Sequence, residues 1–189
     1  KLLVVLTSMI FLFTACGEKA ETKKVKEELV IAQDGEAKSL DIHQGNDGFS
    51  LRANRLIYSR LVESDENMQI HPGLAESWEQ IDDKTMQFHL RKGVKFHNGY
   101  DFTAEDVKFS FERMMNSPRI AFVLPPIEKI EIVDDYTVNL VTKTPFGPLL
   151  AHLSHPALGI VSKKLLTENS EALKETPIGT GSYKFKEWI

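Results

Sequence analysis

The sequence predicts a mixed α/β fold, of the α+β kind, in which hairpins of short strands pack against amphipathic helices. Residues 85–90 and 127–140 alternate apolar and polar side chains, a pattern typical of half-buried strands. Between these stretches, Asn98-Gly99 indicates a tight turn. Thr103 then begins a segment whose apolar residues recur at helical spacing. Without residues 1–15, the chain is long enough for one domain with a sizeable core or for part of a larger one.

The first elements along the chain have shorter patterns. Residues 29–33 are strand-like and end at Asp34-Gly35, and a second extended piece is expected at 39–42. Ser50 is expected to cap a helix that runs to Val62, because a serine side chain satisfies N–H groups at a helix start. The arginines of this helix are expected to face water: Arg52, Arg55 and Arg60.

The middle of the chain carries the strongest patterns. Met86, Phe88 and Leu90 share one face of the first predicted hairpin. Thr103 and Asp106 have the spacing of a capping box, with Asp in place of the usual Glu. The helix that they start is expected to bury its apolar side chains: Val107, Phe111, Met114 and Met115.

The last third of the chain alternates extended pieces with short helices. Asp134-Asp135 is the predicted turn of the second hairpin, and a short helix is expected at 149–153 after a proline and glycine break. Residues 158–161 predict a buried strand, and Ser162 is the expected cap of the next helix. Residues 182–189 alternate and predict a final strand.

The chain opens with features of an exported protein. The run 2–15 is uncharged and too short to span a bilayer of about 30 Å, so residues 1–15 are expected to be a secretory signal peptide. Cys16 is the only cysteine, and FTAC at 13–16 resembles the lipobox of bacterial lipoproteins. We therefore expect Cys16 to carry a membrane-anchoring lipid and 16–28 to form a charged, disordered tether. The alternative is an ordinary signal peptide followed by an incidental cysteine.

Charge excludes one class of partner. The chain has 23 Lys and Arg against 27 Asp and Glu, a net charge of −4. A nucleic-acid-binding domain needs a basic patch or stripe, so we expect no nucleic-acid partner.

Candidate catalytic and metal-binding groups do not combine into a recognisable set. His152 and His155 are three residues apart, as zinc ligands can be, but Pro156 follows and no nearby carboxylate completes the set. The chain has no Gly-x-Ser-x-Gly nucleophile turn. Gly179-Thr180-Gly181 lacks the Lys and Ser/Thr that end a phosphate-binding loop, so we expect a turn there. We expect no enzymatic activity, no metal and no cofactor.

Five motifs carry a family resemblance. They are LIYSRLVE at 56–63, PGLAESWE at 72–79, FHLRKGVKFHNG at 88–99, FTAEDVKFSFER at 102–113 and PIGTGSY at 177–183. In this order they closely resemble the family 5 extracellular solute-binding proteins. These are the substrate-binding subunits of ABC importers for dipeptides, oligopeptides, glutathione and nickel. Ile42 and Ser182 stand where the family usually has proline.

The resemblance implies a periplasmic-binding-protein-like two-lobed fold, of which this chain holds part of the first lobe plus its extra inserted domain. By analogy, 29–50 starts lobe one, 51–160 is the extra domain packed on it, and 161–189 returns to lobe one. Family members are much longer than this chain. Their lobes close around a ligand, and the closed form is what the permease recognises. The implied partners are a peptide ligand, ABC permease subunits and the membrane outside which capture takes place.

The resemblance also places one ligand-binding loop in this chain. Gly45, Asn46, Asp47, Gly48 and Phe49 match the position where the family's first lobe faces the cleft. Glycines let a ligand backbone approach, an aspartate can meet an amine or cation, and a phenylalanine can cover an apolar part. The alternative is a plain surface loop. The stretch 112–114 is a second candidate, and the principal gripping residues are expected beyond Ile189.

Other functions remain open at this point. Within the family, the ligand can be a peptide, glutathione, a nickel chelate or haem, and His43 and His97 would matter more for the last two. Outside transport, a signalling or surface-adhesion role is possible for a binding protein. A secreted metallohydrolase is the remaining enzyme hypothesis.

Overall fold

The computed structural model describes residues 28–188. Residues 33–188 form one compact unit, and the described residues before them, 28–32, belong to a separate unit and are themselves in neither helix nor strand. The predicted signal peptide, Cys16 and most of the tether therefore lie outside the described residues. Within these residues, no helix is long and apolar enough to cross a membrane.

Two predicted extended pieces near the start are wrong. Residues 29–33 form no strand, and 39–42 consist of bends and the start of a turn. A strand persists where its N–H and C=O groups pair with a neighbour. In the described part of the chain, every strand pairing involves residues from Val62 onward.

The first helix, α1, spans Gly48–Ile57 and begins earlier than predicted. Asp47, and not Ser50, is its N-cap, and the Asp47 carboxylate accepts a hydrogen bond from the Ser50 N–H at 3.0 Å. The helix ends where Tyr58 is extended, so Arg60 lies beyond it. The prediction that Arg60 faces water is wrong: it is 5% exposed and ion-pairs with Glu63. Burial, reinforced by the charge of Arg55, lowers the pKa of Arg60 to about 10.

Two antiparallel sheets follow. The first pairs two short strands: β1 (Val62–Ser64) and β2 (Ile70–Pro72). The second has four strands in the order β3-β4-β6-β5: β3 (Ala75–Gln80), β4 (Thr85–Leu90), β5 (Ile127–Asp134) and β6 (Thr137–Thr142). Phe88 at the centre of β4 lies opposite Trp78 on β3 and Val138 on β6. Both predicted hairpins are therefore confirmed.

The predicted turn and central helix are also confirmed. Gly99 has a φ of +90°, a left-handed conformation that glycine adopts without steric cost. The helix α2 spans Ala104–Met115, and the Asp106 carboxylate accepts a hydrogen bond from the Thr103 N–H at 2.9 Å. Val107, Phe111 and Met114 are buried, as their helical spacing predicts, but the prediction for Met115 is wrong, because it lies on the solvent side of α2 and is 37% exposed.

Three short helices complete the described chain: α3 (Leu149–Leu153), α4 (Lys163–Glu168) and α5 (Ala172–Glu175). Ser162 caps α4, as predicted. Residues 158–161 are buried as predicted but form no strand, because Ile160 and Val161 bond to Ser59 and to the Ser110 side chain. The predicted strand at 182–189 is absent from its described residues, 182–188.

The apolar side chains form two clusters. The large core joins α2 to the four-stranded sheet and includes these fully buried residues: Phe88, Leu90, Phe102, Phe111, Val138 and Leu140. The small core is built from residues on either side of that module: Ile42, Ile57, Tyr58, Val161, Leu166 and Leu173. Residues 44–49 directly follow the part of the chain that enters the small core through Ile42.

Candidate functional site

The predicted ligand loop, residues 45–49, joins a turn at 42–44 to the start of α1. Its two glycines have different surroundings. A Cβ at Gly45 would lie 3.0 Å from Ser50 Oγ, so this buried glycine packs closely against the start of α1. A Cβ at Gly48 would meet no described atom within 4 Å. Gly48 and the exposed Asn46 therefore border open space, where another molecule's backbone can approach.

Asp47 is an ionised helix cap. Its carboxylate accepts hydrogen bonds from the Ser50 N–H at 3.0 Å and from the Ser50 hydroxyl at 2.6 Å. Partial burial by itself raises the pKa of Asp47, but these hydrogen bonds and the charge of Lys38 outweigh it, so the pKa is lower than usual. A carboxylate has lone pairs beyond the two used here. Asp47 can therefore accept a hydrogen bond from an amine while it caps the helix.

Phe49 is half-buried, because part of its ring packs on the protein itself. A Cβ at Gly35 would come within 2.4 Å of the Phe49 ring, so the ring covers this glycine closely. The guanidinium of Arg52, on the same helix, lies 5.9 Å from the centroid of the Phe49 ring. Only the remaining exposed part of the ring is available to a ligand.

The loop is held by polar anchors that flank it in the sequence, Asp41 before it and Ser50 after it. At the α1 side, Ser50 Oγ accepts hydrogen bonds from the N–H groups of Lys38 and Ser39, at 2.9 and 3.2 Å. At the other side, the Asp41 carboxylate receives two hydrogen bonds from Arg113, at 2.9 and 2.5 Å. These hydrogen bonds fix the positions of the residues on both sides of the loop.

The second candidate stretch, 112–114, divides between core and surface. Met114 is fully buried in the large core, so the prediction that it approaches the cleft is wrong. Arg113 is committed to Asp41, with 19% of its side chain exposed, and Glu112 is exposed. No sequence pattern predicts that Asp41 or Ser50 anchors the loop. Their only signal was polar character beside the apolar Ile42 and within an amphipathic helix.

His43 and His97 are the two histidines that a metal or haem ligand would need, and both form hydrogen bonds with backbone groups. His43 is fully buried, and its Nε2–H donates to the Gly159 carbonyl at 2.9 Å. Burial, then the charge of Arg113, lowers the pKa of His43 to about 4. His97 donates from Nε2 to the Gly181 carbonyl at 2.8 Å, and its Nδ1 accepts from the Gly179 N–H at 3.4 Å. Both ring nitrogens of His97 are thus engaged, whereas His43 Nδ1 is buried without a hydrogen-bond partner.

The pair His152 and His155 also faces protein groups. The His152 ring packs edge-on against Phe146, with centroids 5.1 Å apart, and His155 Nδ1 accepts from the Ala157 N–H at 3.2 Å. Across residues 28–188, no three or more His, Cys, Asp or Glu side chains are grouped as metal ligands.

A cavity of about 230 Å³ lies elsewhere, between the β3–β4 turn and the segment that leads into α3. Its wall combines Asp83 and Lys84 with Met86 and Phe146. None of the loop residues 45–49 lines it, so the cavity and the candidate ligand loop are separate features.

Comparison with known proteins identifies relatives for most of the chain. The family model for the middle region of bacterial extracellular solute-binding proteins, family 5, matches residues 69–189. The glutathione-binding protein GsiB of Pectobacterium atrosepticum is 35% identical over 163 residues, which cover 84% of this chain and 32% of that protein. The chain thus spans about a third of the length of the curated relatives that it matches.

Solved structures agree with this result and with the predicted periplasmic-binding-protein-like fold. The binding protein DppA of Helicobacter pylori, in complex with the peptide STSA, is 34% identical with a TM-score of 0.70, over 82% of this chain and 35% of that one. NikZ of Campylobacter jejuni, in complex with Ni(L-His), is 32% identical with a TM-score of 0.70, over 82% and 32%.

Proposed function

Because this chain belongs to the bacterial extracellular solute-binding proteins of family 5, we propose that it captures a solute outside the cytoplasmic membrane for an ABC importer. The proposed role is binding without chemical conversion. Capture takes place when two lobes close around the ligand, and the closed form delivers it to permease subunits. We propose that 29–50 and 161–189 belong to the first lobe and that 51–160 is its extra domain.

The observation that carries the site proposal is the geometry of the loop 45–49. Gly48 borders open space, Asn46 is exposed, and Asp47 is held ionised beside them. An extended peptide presents N–H and C=O groups along its backbone and an ammonium group at its start. The Asn46 amide and the Gly48 backbone can bond to the N–H and C=O groups of the peptide. The Asp47 carboxylate can pair with its ammonium group. Gly45 supports the loop from inside and does not contact the ligand.

We propose a di- or oligopeptide as the ligand, with glutathione, itself a peptide, as the next candidate. The relatives bind glutathione, a peptide and Ni(L-His), so the family alone leaves this choice open. Support for a peptide comes from the open backbone at Gly48 and the anionic Asp47. A nickel chelate or haem is less well supported, because both ring nitrogens of His97 bond to Gly179 and Gly181, and His43, whose Nδ1 is unpartnered, is fully buried.

We further propose that a lipid on Cys16 anchors the protein at the membrane surface beside its permease. The basis is the short apolar run before this cysteine and the charged stretch after it. Mass spectrometry of the mature protein from its native host tests this: a diacylglyceryl-modified Cys16 is expected, and an unmodified thiol would contradict the anchor.

Calorimetry of the full-length protein with three probes tests the ligand class. The probes are the tetrapeptide Ser-Thr-Ser-Ala, reduced glutathione and Ni(L-His). Saturable binding of a peptide probe, recovered chemically unchanged, is the expected result. Binding of Ni(L-His) alone would replace the peptide proposal with a nickel-chelate one. Turnover of a bound probe would establish an enzyme instead.

A pair of glycine variants tests the loop itself. Gly48→Leu and Gly147→Leu each add a side chain where a Cβ meets no described atom within 4 Å, so neither variant is expected to disturb the fold. Gly48→Leu is expected to abolish binding of the peptide probe, because its side chain fills the space proposed for ligand backbone. The matched control Gly147→Leu is expected to bind normally. Equal binding by both variants would contradict the assignment of residues 45–49.

A further inference from the structure

One side of α2 carries polar residues that are buried. The polar stripe (Asp106, Ser110, Arg113 and Ser117) has the spacing i, i+4, i+7, i+11, which places its members along one face of a helix and its continuation. Asp106, Ser110 and Ser117 are at most 4% exposed. In a sequence, a stripe of polar residues on an amphipathic helix is typical of a water-facing side. Here it faces protein.

The first half of the polar stripe holds the segment at 161–163. Ser110 Oγ accepts a hydrogen bond from the Val161 N–H at 3.0 Å and lies 3.3 Å from the Val161 carbonyl, to which it donates. The Asp106 carboxylate accepts one from the Lys163 N–H at 2.8 Å. These bonds satisfy backbone groups of a buried segment that has no strand neighbour.

The second half of the polar stripe holds the segment that leads into the ligand loop. Arg113 binds both carboxylate oxygens of Asp41, which is 2% exposed. Asp41 also accepts a hydrogen bond from the His43 N–H at 3.1 Å. Ser117 Oγ donates to the His43 carbonyl at 2.8 Å. Residues 41–43 are therefore tied to the end of α2 and its continuation by three hydrogen bonds, and the bond from the His43 N–H to Asp41 closes the segment on itself just before Gly45.

The neighbouring face of α2, about 90° around the helix axis, belongs to the large core through Val107, Phe111 and Met114. The helix therefore joins the sheet, on its apolar side, to the two buried segments on its polar side. We infer that the polar stripe positions the ligand loop. Arg113 is the positioning residue: its ion pair with Asp41 fixes residues 41–43 against α2 and thereby fixes where the loop 45–49 begins. The effect of this positioning on ligand affinity rests on the proposed function, but the positioning itself does not.

A bidentate guanidinium–carboxylate pair fixes orientation as well as distance, which an ammonium group does not. Removing Arg113 leaves the carboxylate of Asp41 buried without its counter-charge, so its effect mixes lost geometry with an uncompensated charge. Asp41→Asn removes that charge with little change of shape. The double variant Asp41→Asn/Arg113→Met therefore separates the two effects.

The experiment compares the full-length protein with Arg113→Met, Arg113→Lys, the double variant and a control. The control, Glu105→Gln, changes a residue at the other end of α2. It breaks an exposed ion pair with Lys163, the first residue of α4. Amide hydrogen exchange is measured in peptides covering 41–49 and, for comparison, β4 and β6. Thermal unfolding is followed in parallel, and affinity for Ser-Thr-Ser-Ala and glutathione is measured by calorimetry.

Arg113→Met is expected to speed exchange in 41–49 by about tenfold or more, with β4 and β6 unchanged. Arg113→Lys is expected to fall between Arg113→Met and the unmodified protein. The double variant is expected to regain most of the thermal stability but not the slow exchange of 41–49. Affinity for the peptide probe is expected to fall about tenfold in Arg113→Met and to stay unchanged in Glu105→Gln.

Several results would overturn the inference. They are unchanged exchange in Arg113→Met, equal effects of Glu105→Gln, or a double variant that restores slow exchange together with stability. The last result would mean that Arg113 only neutralises Asp41. If neither probe binds to the unmodified protein, the peptide proposal fails while the exchange measurement still decides the positioning role.

Discussion

The two cores of this molecule are held together by different means. In the large core, apolar side chains of α2 and the four-stranded sheet pack on one another, and the strands pair in regular antiparallel register. Around the small core, segments without strand neighbours are fixed by hydrogen bonds from individual side chains, together with isolated backbone bonds such as that from the Gly181 N–H to the Ile57 carbonyl at 2.8 Å. The Ser110 side chain binds the backbone of Val161, and Arg113 binds the carboxylate of Asp41. His97 binds the carbonyl of Gly181 in the turn at 179–181.

The difference bears on function, because the proposed ligand loop lies on the second kind of structure. Apolar contacts are many and interchangeable, so no one of them decides the geometry of the sheet. A polar anchor is specific: it fixes one segment in one place, and its loss leaves a buried group unpaired. We therefore expect changes in the large core to act on stability, and changes around the small core to act on local geometry and pH response.

The largest expected effect comes from the centre of the large core. Phe88→Ala removes a fully buried ring between Trp78 and Val138 and is expected to lower the free energy of unfolding by about 3–5 kcal/mol. Urea denaturation of the full-length protein measures it. Val133→Ala, at a residue 55% exposed on the edge strand β5, is the control and should change little. Similar losses in both variants would show that the sheet does not carry the stability.

The next effect is a pH dependence that belongs to the small-core side. The pKa of His43 is about 4 in the folded protein and 6.5 in the unfolded chain, so between these values the unfolded chain binds the extra proton. The contribution to stability is complete above pH 6.5 and is lost as the pH falls towards 4. The loss amounts to about 3 kcal/mol for such a shift.

His43→Gln isolates this contribution. A glutamine amide can still donate to the Gly159 carbonyl but does not titrate. Between pH 7 and pH 4, the variant is expected to lose less stability than the unmodified protein, measured by urea denaturation at each pH. Parallel pH profiles in the two proteins would contradict the burial of a neutral His43.

A smaller effect is expected where a glycine fits against α1. A Cβ at Gly179 would lie 2.1 Å from the Ile57 carbonyl oxygen, so Gly179→Ala forces the turn away from the end of the helix. We expect a loss of about 1–3 kcal/mol in the free energy of unfolding. Gly147→Ala, where a Cβ meets no described atom within 4 Å, is the matched control and should be close to neutral. A neutral Gly179→Ala would mean that the turn is not packed this tightly.

The smallest effect concerns the surface between the two regions. Glu105→Gln breaks an ion pair with Lys163 in which both side chains are about half exposed. Exposed pairs contribute little, so the change in the free energy of unfolding should stay within about 1 kcal/mol and shrink further in high salt. A larger loss would show that α4 depends on this pair and not on the buried bonds of Asp106 and Ser110.

The sequence by itself determined the elements whose signals are local. Alternation over six residues predicts β4, helical spacing and a capping pair predict α2, and Asn98-Gly99 predicts the turn between them, because neighbouring residues alone create these patterns. The motifs also placed the chain in its family and pointed to the loop 45–49. They did not show that Gly45 packs closely against the start of α1 or that Asp47 caps this helix.

Only the tertiary structure decided which partners the isolated polar residues have. Asp41 and Arg113 are 72 positions apart, and His97 and Gly181 are 84 apart, so no local pattern connects them. The same is true of the residues at 29–33, 158–161 and 182–188, whose apolar or alternating character predicted strands that the described structure lacks. A strand depends on a neighbour that pairs with it, and a buried polar group depends on a partner that reaches it. Both conditions depend on how distant parts of the chain come together in the fold. The polar stripe of α2 is an example, because its side chains supply partners to the segments at 41–43 and 161–163.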